Sequence, residues 1–235
     1  MDDIQLFNNL KEIYRKMAHA AMRAGREPSG VTLIAVTKNV HIDVIRRAVD
    51  AGLRVFGENR VQEAQEKISN LKFEISNSRI IWHLIGHLQK NKAKTAVKLF
   101  DLIHSVDSKE LAEELDRQAA KNAKIQRVLV QVKLSEEETK QGVAAEDFYP
   151  LIERIASLAN LKLEGVMTMP PYFEDPEKAR PCFRRLLELK KEAESRGFEL
   201  PVVSMGMSND FEVAIEEGAT MVRVGTALFG ERSYT

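Results

Sequence analysis

Apolar positions recur every three to four residues over 4–23, placing Leu6, Leu10, Ile13, Met17 and Ala21 on one face of a helix that Gly25 stops. The run VTLIAVTK (31–38) follows, β-branched, short and apolar on both faces, which is the pattern of a buried parallel strand. From there amphipathic stretches and short apolar runs alternate. Helices are predicted over 44–52, closed by Gly52, and over 60–71, 90–99, 108–123 with Ser108 as cap, 147–159, 176–196 and 210–217. Strands are predicted over 53–57, 79–86, 99–105, 125–133, 161–169, 200–206 and 220–225. Crossover helices force neighbouring strands to run parallel, and eight such strands, each but the last followed by a helix, predict an α/β fold closed as a single (β/α)8 TIM-type barrel. The expectation is one domain over 1–235, with the segment 1–25 as an extra N-terminal helix packed on the barrel.

The rival is an open doubly wound sheet, which needs fewer strands and usually carries GxGxxG; the chain has no such motif. The stretch GTALFGER (225–232) lacks the Lys-Ser/Thr of a nucleotide-binding loop. There is no internal repeat, low-complexity segment or Pro/Gly-rich linker.

Composition narrows the partners. Lys plus Arg and Asp plus Glu each number 35, a zero net charge that argues against nucleic acid or an anionic membrane surface. The cluster Lys90, Lys92 and Lys94 reads as the solvated face of one helix. No run approaches the roughly 20 apolar residues of a membrane span. The N-terminus is acidic and then amphipathic, unlike a signal peptide, so a cytoplasmic protein is expected. One cysteine, Cys182, precludes an internal disulfide and shows no sign of activation. Neutrality and the lack of an evident exposed apolar stripe point to a monomer.

Barrel chemistry sits at the C-terminal ends of the strands. The residues there are Thr37-Lys38-Asn39, Glu58-Asn59, His83, His104, Lys133, Met167-Thr168, Ser204 and Arg223 with Gly225-Thr226. Lys38 ends an apolar strand, and partial desolvation of its amine favours attack on an aldehyde; an ordinary solvated loop lysine is the plain alternative. The loops after the seventh and eighth strands, Ser204-Met205-Gly206-Met207-Ser208 and Gly225-Thr226-Ala227, set small hydroxyl residues beside glycine where barrels bind phosphate. Ser208 is also a candidate cap for the following helix. Arg223, within the eighth strand, needs a partner, either a carboxylate or the ring nitrogen of a bound pyridine. His83 and His104 read as core histidines, and no metal site is expected. The stretches 135–142 and 170–177 leave strand ends as lids or as surface loops.

The motifs LIAVTK (33–38), FGENRVQEA (56–64), WHLIGHLQKNK (82–92), EGVMTM (164–169), SMGMSND (204–210) and RVGTALFGER (223–232) cover nearly the whole chain in order. Together they resemble the pyridoxal 5′-phosphate (PLP) homeostasis protein family. The resemblance implies a barrel like the N-terminal domain of alanine racemase, with PLP as a Schiff base on the lysine ending strand one, here Lys38. It places Ser204, Gly225 and Thr226 at the phosphate, Arg223 at the pyridine nitrogen, and Asn59, Met207 and Ser208 near the cofactor.

Three functions follow as expectations. A PLP carrier in vitamin B6 homeostasis, with PLP-requiring apoenzymes as recipients, needs one Schiff-base lysine and a phosphate cup, but no second acid–base group and no catalytic residue. An amino-acid racemase needs a proton donor on each face of the cofactor. The second base of such racemases comes from an additional C-terminal domain that this sequence does not show, which leaves Tyr172, on the loop after strand six, as the one substitute. A Schiff-base aldolase would use Lys38 directly on a sugar phosphate.

Overall fold

The computed structural model describes residues 2–72, 79–135 and 141–230. Helix α1 (Asp3–Arg23) opens the chain, capped by Asp2, whose carboxylate accepts from the Gln5 N–H at 2.8 Å. It ends at Gly25, whose φ of +66° suits a residue without a Cβ. Then strands and helices alternate: β1 (Thr32–Val36), α2 (Ile42–Asp50), β2 (Val55–Glu58), α3 (Val61–Lys72), β3 (Ile81–Leu84), α4 (Ala93–Leu99), β4 (Leu102–Val106) and α5 (Lys109–Lys121). They continue with β5 (Gln126–Gln131), α6 (Phe148–Ala156), β6 (Leu161–Met167), α7 (Arg180–Ser195), β7 (Val202–Ser204), α8 (Phe211–Glu216), β8 (Met221–Val224) and α9 (Thr226–Phe229).

The eight strands form one closed parallel barrel in sequence order. β1 closes on β8 in the register Thr32↔Met221 through Ala35↔Val224. The (β/α)8 class and the N-terminal helix are as the sequence predicts. Four local readings change. The helix predicted over 90–99 begins as a tight turn, Lys90–Lys92, before α4, and that over 176–196 as Pro176–Ala179 before α7. Pro181 stands in the first turn of α7, where its missing N–H costs nothing. Strand eight is followed by the short helix α9 after all. Asp210, not Ser208, occupies the cap position of α8, accepting from the Met207 N–H at 2.6 Å.

Most of the core lies between barrel and helices, where residues such as Ile45, Phe56, Phe100, Leu115, Phe148 and Phe183 are fully buried. Each such side chain contributes about 1.5–3 kcal/mol. A smaller cluster, Leu102, Leu129 and Met167 with Met169, Val202 and Met221, fills the barrel's own interior. Above it the interior turns polar. Between β6 and β7 the backbones approach so closely that a Cβ on Gly165 would stand 1.8 Å from the Val202 carbonyl oxygen. No helix among the described residues is long and apolar enough to cross a membrane.

Candidate functional site

A cleft of about 300 Å³ opens at the C-terminal end of the barrel. Lys38 and Asn59 line one side of it, and Met207, Ser208, Gly225 and Thr226 line the other, with Arg223 also on its wall. β1 and β8 are neighbours, so residues far apart in sequence meet across this mouth.

Lys38 is half-buried in a turn directly after β1. The turn is closed by the Val40 N–H donating to the Thr37 carbonyl at 2.9 Å, and tied to β2 by the Thr37 N–H donating to the Gly57 carbonyl at 3.0 Å. Asn39 takes the left-handed conformation, φ 57°, which asparagine tolerates better than most residues. The side chain of Lys38 borders both the cleft and a second hollow, shared with Asn59, Arg60, His87 and Lys92.

Asn59 follows β2. Its Oδ1 is buried and without a hydrogen-bond partner among the described residues, a costly arrangement that a donor in the cleft would relieve. Gly86 makes room for it: a Cβ there would stand 2.3 Å from the Asn59 carbonyl oxygen.

On the far side, Ser208 Oγ accepts from two backbone N–H groups, Gly225 at 3.2 Å and Ala227 at 3.3 Å. Converging N–H donors beside a hydroxyl make a cup for the oxygens of a dianion. Burial raises the pKa of Asp210, next to this cup, from its ordinary value.

Arg223 is 2% exposed. Its guanidinium donates to Ser204 Oγ at 2.7 Å and to the Thr168 carbonyl at 2.9 Å, so its direct partners are a hydroxyl and a carbonyl rather than a carboxylate. Burial pushes its pKa down to about 10, with Asp210 pulling the other way, and the group stays charged at neutral pH. The polar chain continues from Ser204 Oγ to His104 Nδ1 at 2.9 Å, and from His104 Nε2 to His83 Nδ1 at 3.1 Å. Burial, reinforced by nearby cations, pushes His83 down to about 4 and His104 well below its ordinary value, so both rings are neutral at neutral pH.

Of the residues expected at the cofactor, Lys38, Asn59, Met207, Ser208, Arg223, Gly225 and Thr226 line the cleft and Ser204 does not. Ser204 is fully buried in the barrel with its hydroxyl taken by Arg223 and His104, which places it behind the guanidinium and not at a phosphate cup. Lys133 is not on the cleft wall, and its N–H pairs with the Val143 carbonyl at 2.8 Å. Of the two candidate lids, 136–140 lies outside the described residues. The other contributes Tyr172, Phe173 and Pro176 to the wall and is tied down by Asn209 Nδ2 donating to the Phe173 carbonyl at 2.8 Å. Asn209 is a wall residue that the strand-end rule does not reach, because it sits on the loop beyond β7.

A family model described as the alanine racemase N-terminal domain matches residues 8–233. The chain is 47% identical over 226 residues to a pyridoxal phosphate homeostasis protein of Aquifex aeolicus, covering 96% of this chain and 97% of that one. It is 38% identical over 239 residues to the protein of that name from Escherichia coli, covering 100% and 99%. Among solved structures, PipY of Synechococcus elongatus with PLP bound superposes with a TM-score of 0.84 at 38% identity, over 96% of this chain and all of that one. By fold, motif order and full-length similarity, this chain belongs to the pyridoxal phosphate homeostasis protein family, built on the alanine racemase N-terminal domain.

Proposed function

We propose that this chain holds PLP in the cleft, joined to Lys38 as a Schiff base, and serves vitamin B6 homeostasis as a cytoplasmic, monomeric carrier without strong catalysis. The observation that carries this reading is one cleft with a lysine amine on one side and the Ser208–Gly225–Ala227 cup on the other. The relative with PLP in its solved structure supports it.

PLP supplies an aldehyde carbon and a phosphate dianion. Lys38 Nζ adds to that carbon as the free amine, and the aldehyde oxygen leaves as water when the C=N bond forms. The Gly225 and Ala227 N–H groups and the Ser208 hydroxyl hold the phosphate oxygens. The orphaned Asn59 Oδ1 would accept a hydrogen bond from the hydroxyl of the ring. Arg223 can only donate, and it stays charged, so it holds a pyridine nitrogen in its unprotonated form. An unprotonated ring draws electrons weakly, which suits storage better than carbanion chemistry. PLP-requiring apoenzymes are the recipients this reading names.

The test is the absorption spectrum of the purified protein with PLP beside its Lys38→Ala variant. A visible band that vanishes in the variant supports the reading, and a wild type that stays colourless overturns it in favour of direct sugar-phosphate chemistry on Lys38.

A second reading, an amino-acid racemase, has one observation in its favour. Tyr172 lines the cleft while 74% exposed, within reach of a ligand there. Conversion of L- to D-alanine by the purified protein, abolished in Tyr172→Phe, would establish it.

A further inference from the structure

Behind the turn that carries Lys38, on the side away from the cleft, three charged residues share one network. Lys67, on α3 and 8% exposed, donates through Nζ to the Thr37 carbonyl at 2.5 Å, to Glu58 Oε1 at 2.8 Å and to Glu63 Oε1 at 2.6 Å. All three protons of its ammonium are thereby used. Glu58, fully buried at the end of β2, also accepts from the Thr37 hydroxyl at 2.6 Å. Glu63 accepts from the backbone N–H of Asn39 at 2.6 Å.

The contacts fall on the two residues flanking Lys38. Thr37 is held by its hydroxyl and its carbonyl, and Asn39, in its left-handed conformation, by its N–H. None of Glu58, Glu63 and Lys67 reaches the cleft wall. Buried ion networks are poor devices for stability alone, since apolar packing often serves as well, so their placement on both sides of one residue calls for a geometric account.

We infer that Glu58, Glu63 and Lys67 are positioning residues, which fix the Thr37–Asn39 turn so that Lys38 presents its amine to an aldehyde in the cleft. The inference rests on the PLP reading above. The step served is the condensation given there: a C=N bond forms, the C=O bond breaks, and the oxygen departs as water. A turn free to tilt would leave the phosphate cup intact but misplace the amine.

The experiment uses the full chain with two probes. PLP reports condensation through the growth of the visible band, and pyridoxine 5′-phosphate, which has the ring and phosphate but no aldehyde, reports the cleft alone. Glu63→Ala is expected to slow band formation about tenfold or more, as small misplacements of a reacting group do. Its affinity for pyridoxine 5′-phosphate should stay at the wild-type value, and Glu63→Gln, whose side-chain oxygen still accepts from Asn39, should recover most of the rate. Lys67→Met should slow the band at least as much; where that variant fails to fold, the half-exposed Glu63 pair decides.

Band formation in Glu63→Ala at the wild-type rate overturns the inference. So does an equal loss of condensation and of pyridoxine 5′-phosphate affinity, which marks a general loosening of the fold. A band that survives Lys38→Ala overturns the PLP reading at Lys38 and the inference with it, whereas a band that needs Lys38 but ignores Glu63 overturns the inference alone.

Discussion

The Ser204 hydroxyl lies 2.7 Å from Arg223 Nη1, so a neutral group, not a carboxylate, is the direct side-chain partner of the buried guanidinium. Arg223 therefore stands at the cleft wall without a directly paired carboxylate, Asp210 acting on it only from a distance, and can act on a bound ring. Removing the hydroxyl leaves a buried cation short of an acceptor. Ser204→Ala should cost about 2 kcal/mol in a urea unfolding experiment, as expected for a hydrogen bond to a charged group. Affinity for the phosphate moiety should be untouched, since Ser204 stands away from the cup.

The phosphate cup makes the opposite prediction. Ser208→Ala removes the hydroxyl on which the Gly225 and Ala227 N–H groups converge. Binding of PLP should weaken about tenfold, one hydrogen bond's worth, while binding of pyridoxal, which lacks the phosphate, should change little. Equal losses for both ligands in a fluorescence titration would remove Ser208 from the cup.

His83 and His104 give the fold an acid sensitivity. His83 falls from an ordinary 6.5 to about 4 in the folded chain, so between those values the unfolded chain binds more protons. Stability from this group is complete above the ordinary value and drains away as pH falls through the window, by about 3 kcal/mol. Burial raises Glu58, Asp107 and Asp210, whose contributions run the other way and favour the fold at low pH. The comparison to make is unfolding free energy against pH for the wild type and His83→Gln, where the carboxyl contributions cancel. The variant should lose less stability between pH 6.5 and 4.

Gly86 sets the depth at which Asn59 stands. A methyl group at that position meets the Asn59 backbone at 2.3 Å and must push it aside. Gly86→Ala should lower the melting temperature by an amount equivalent to about 1–3 kcal/mol. It should also weaken pyridoxine 5′-phosphate binding, read by calorimetry, because Asn59 leaves the cleft wall.

The barrel was readable in advance because alternating short apolar runs and amphipathic stretches leave few other closures. Amphipathic helices announce themselves through their period and buried strands through short apolar runs; helix starts do not, which is why Lys90–Lys92 and Pro176–Ala179 wind as tight turns before α4 and α7. Lys38, Arg223 and the Gly225 loop were legible from their strand ends. Ser204 falls in a serine- and glycine-containing loop that suggests a phosphate contact, while the direction of its side chain depends on the pleat and register of β7 against β8, which pair at Ser204↔Met221. The Glu58–Glu63–Lys67 network was invisible for a related reason. Lys67 and Glu63 read as an ordinary pair one helical turn apart, and only the docking of α3 against the barrel sends both toward the first strand.

The closure of β1 on β8 has a consequence for the order of events during synthesis. The amine follows the barrel's first strand and the N–H groups of the anion cup follow its eighth, so a nascent chain cannot assemble the cleft until the eighth strand has emerged. Once formed, the barrel has a seam where its two ends meet, and a ligand gripped from both sides fastens that seam. Such long-range pairing is slow to form, and any molecule that bridges it adds its binding free energy to the persistence of the whole ring.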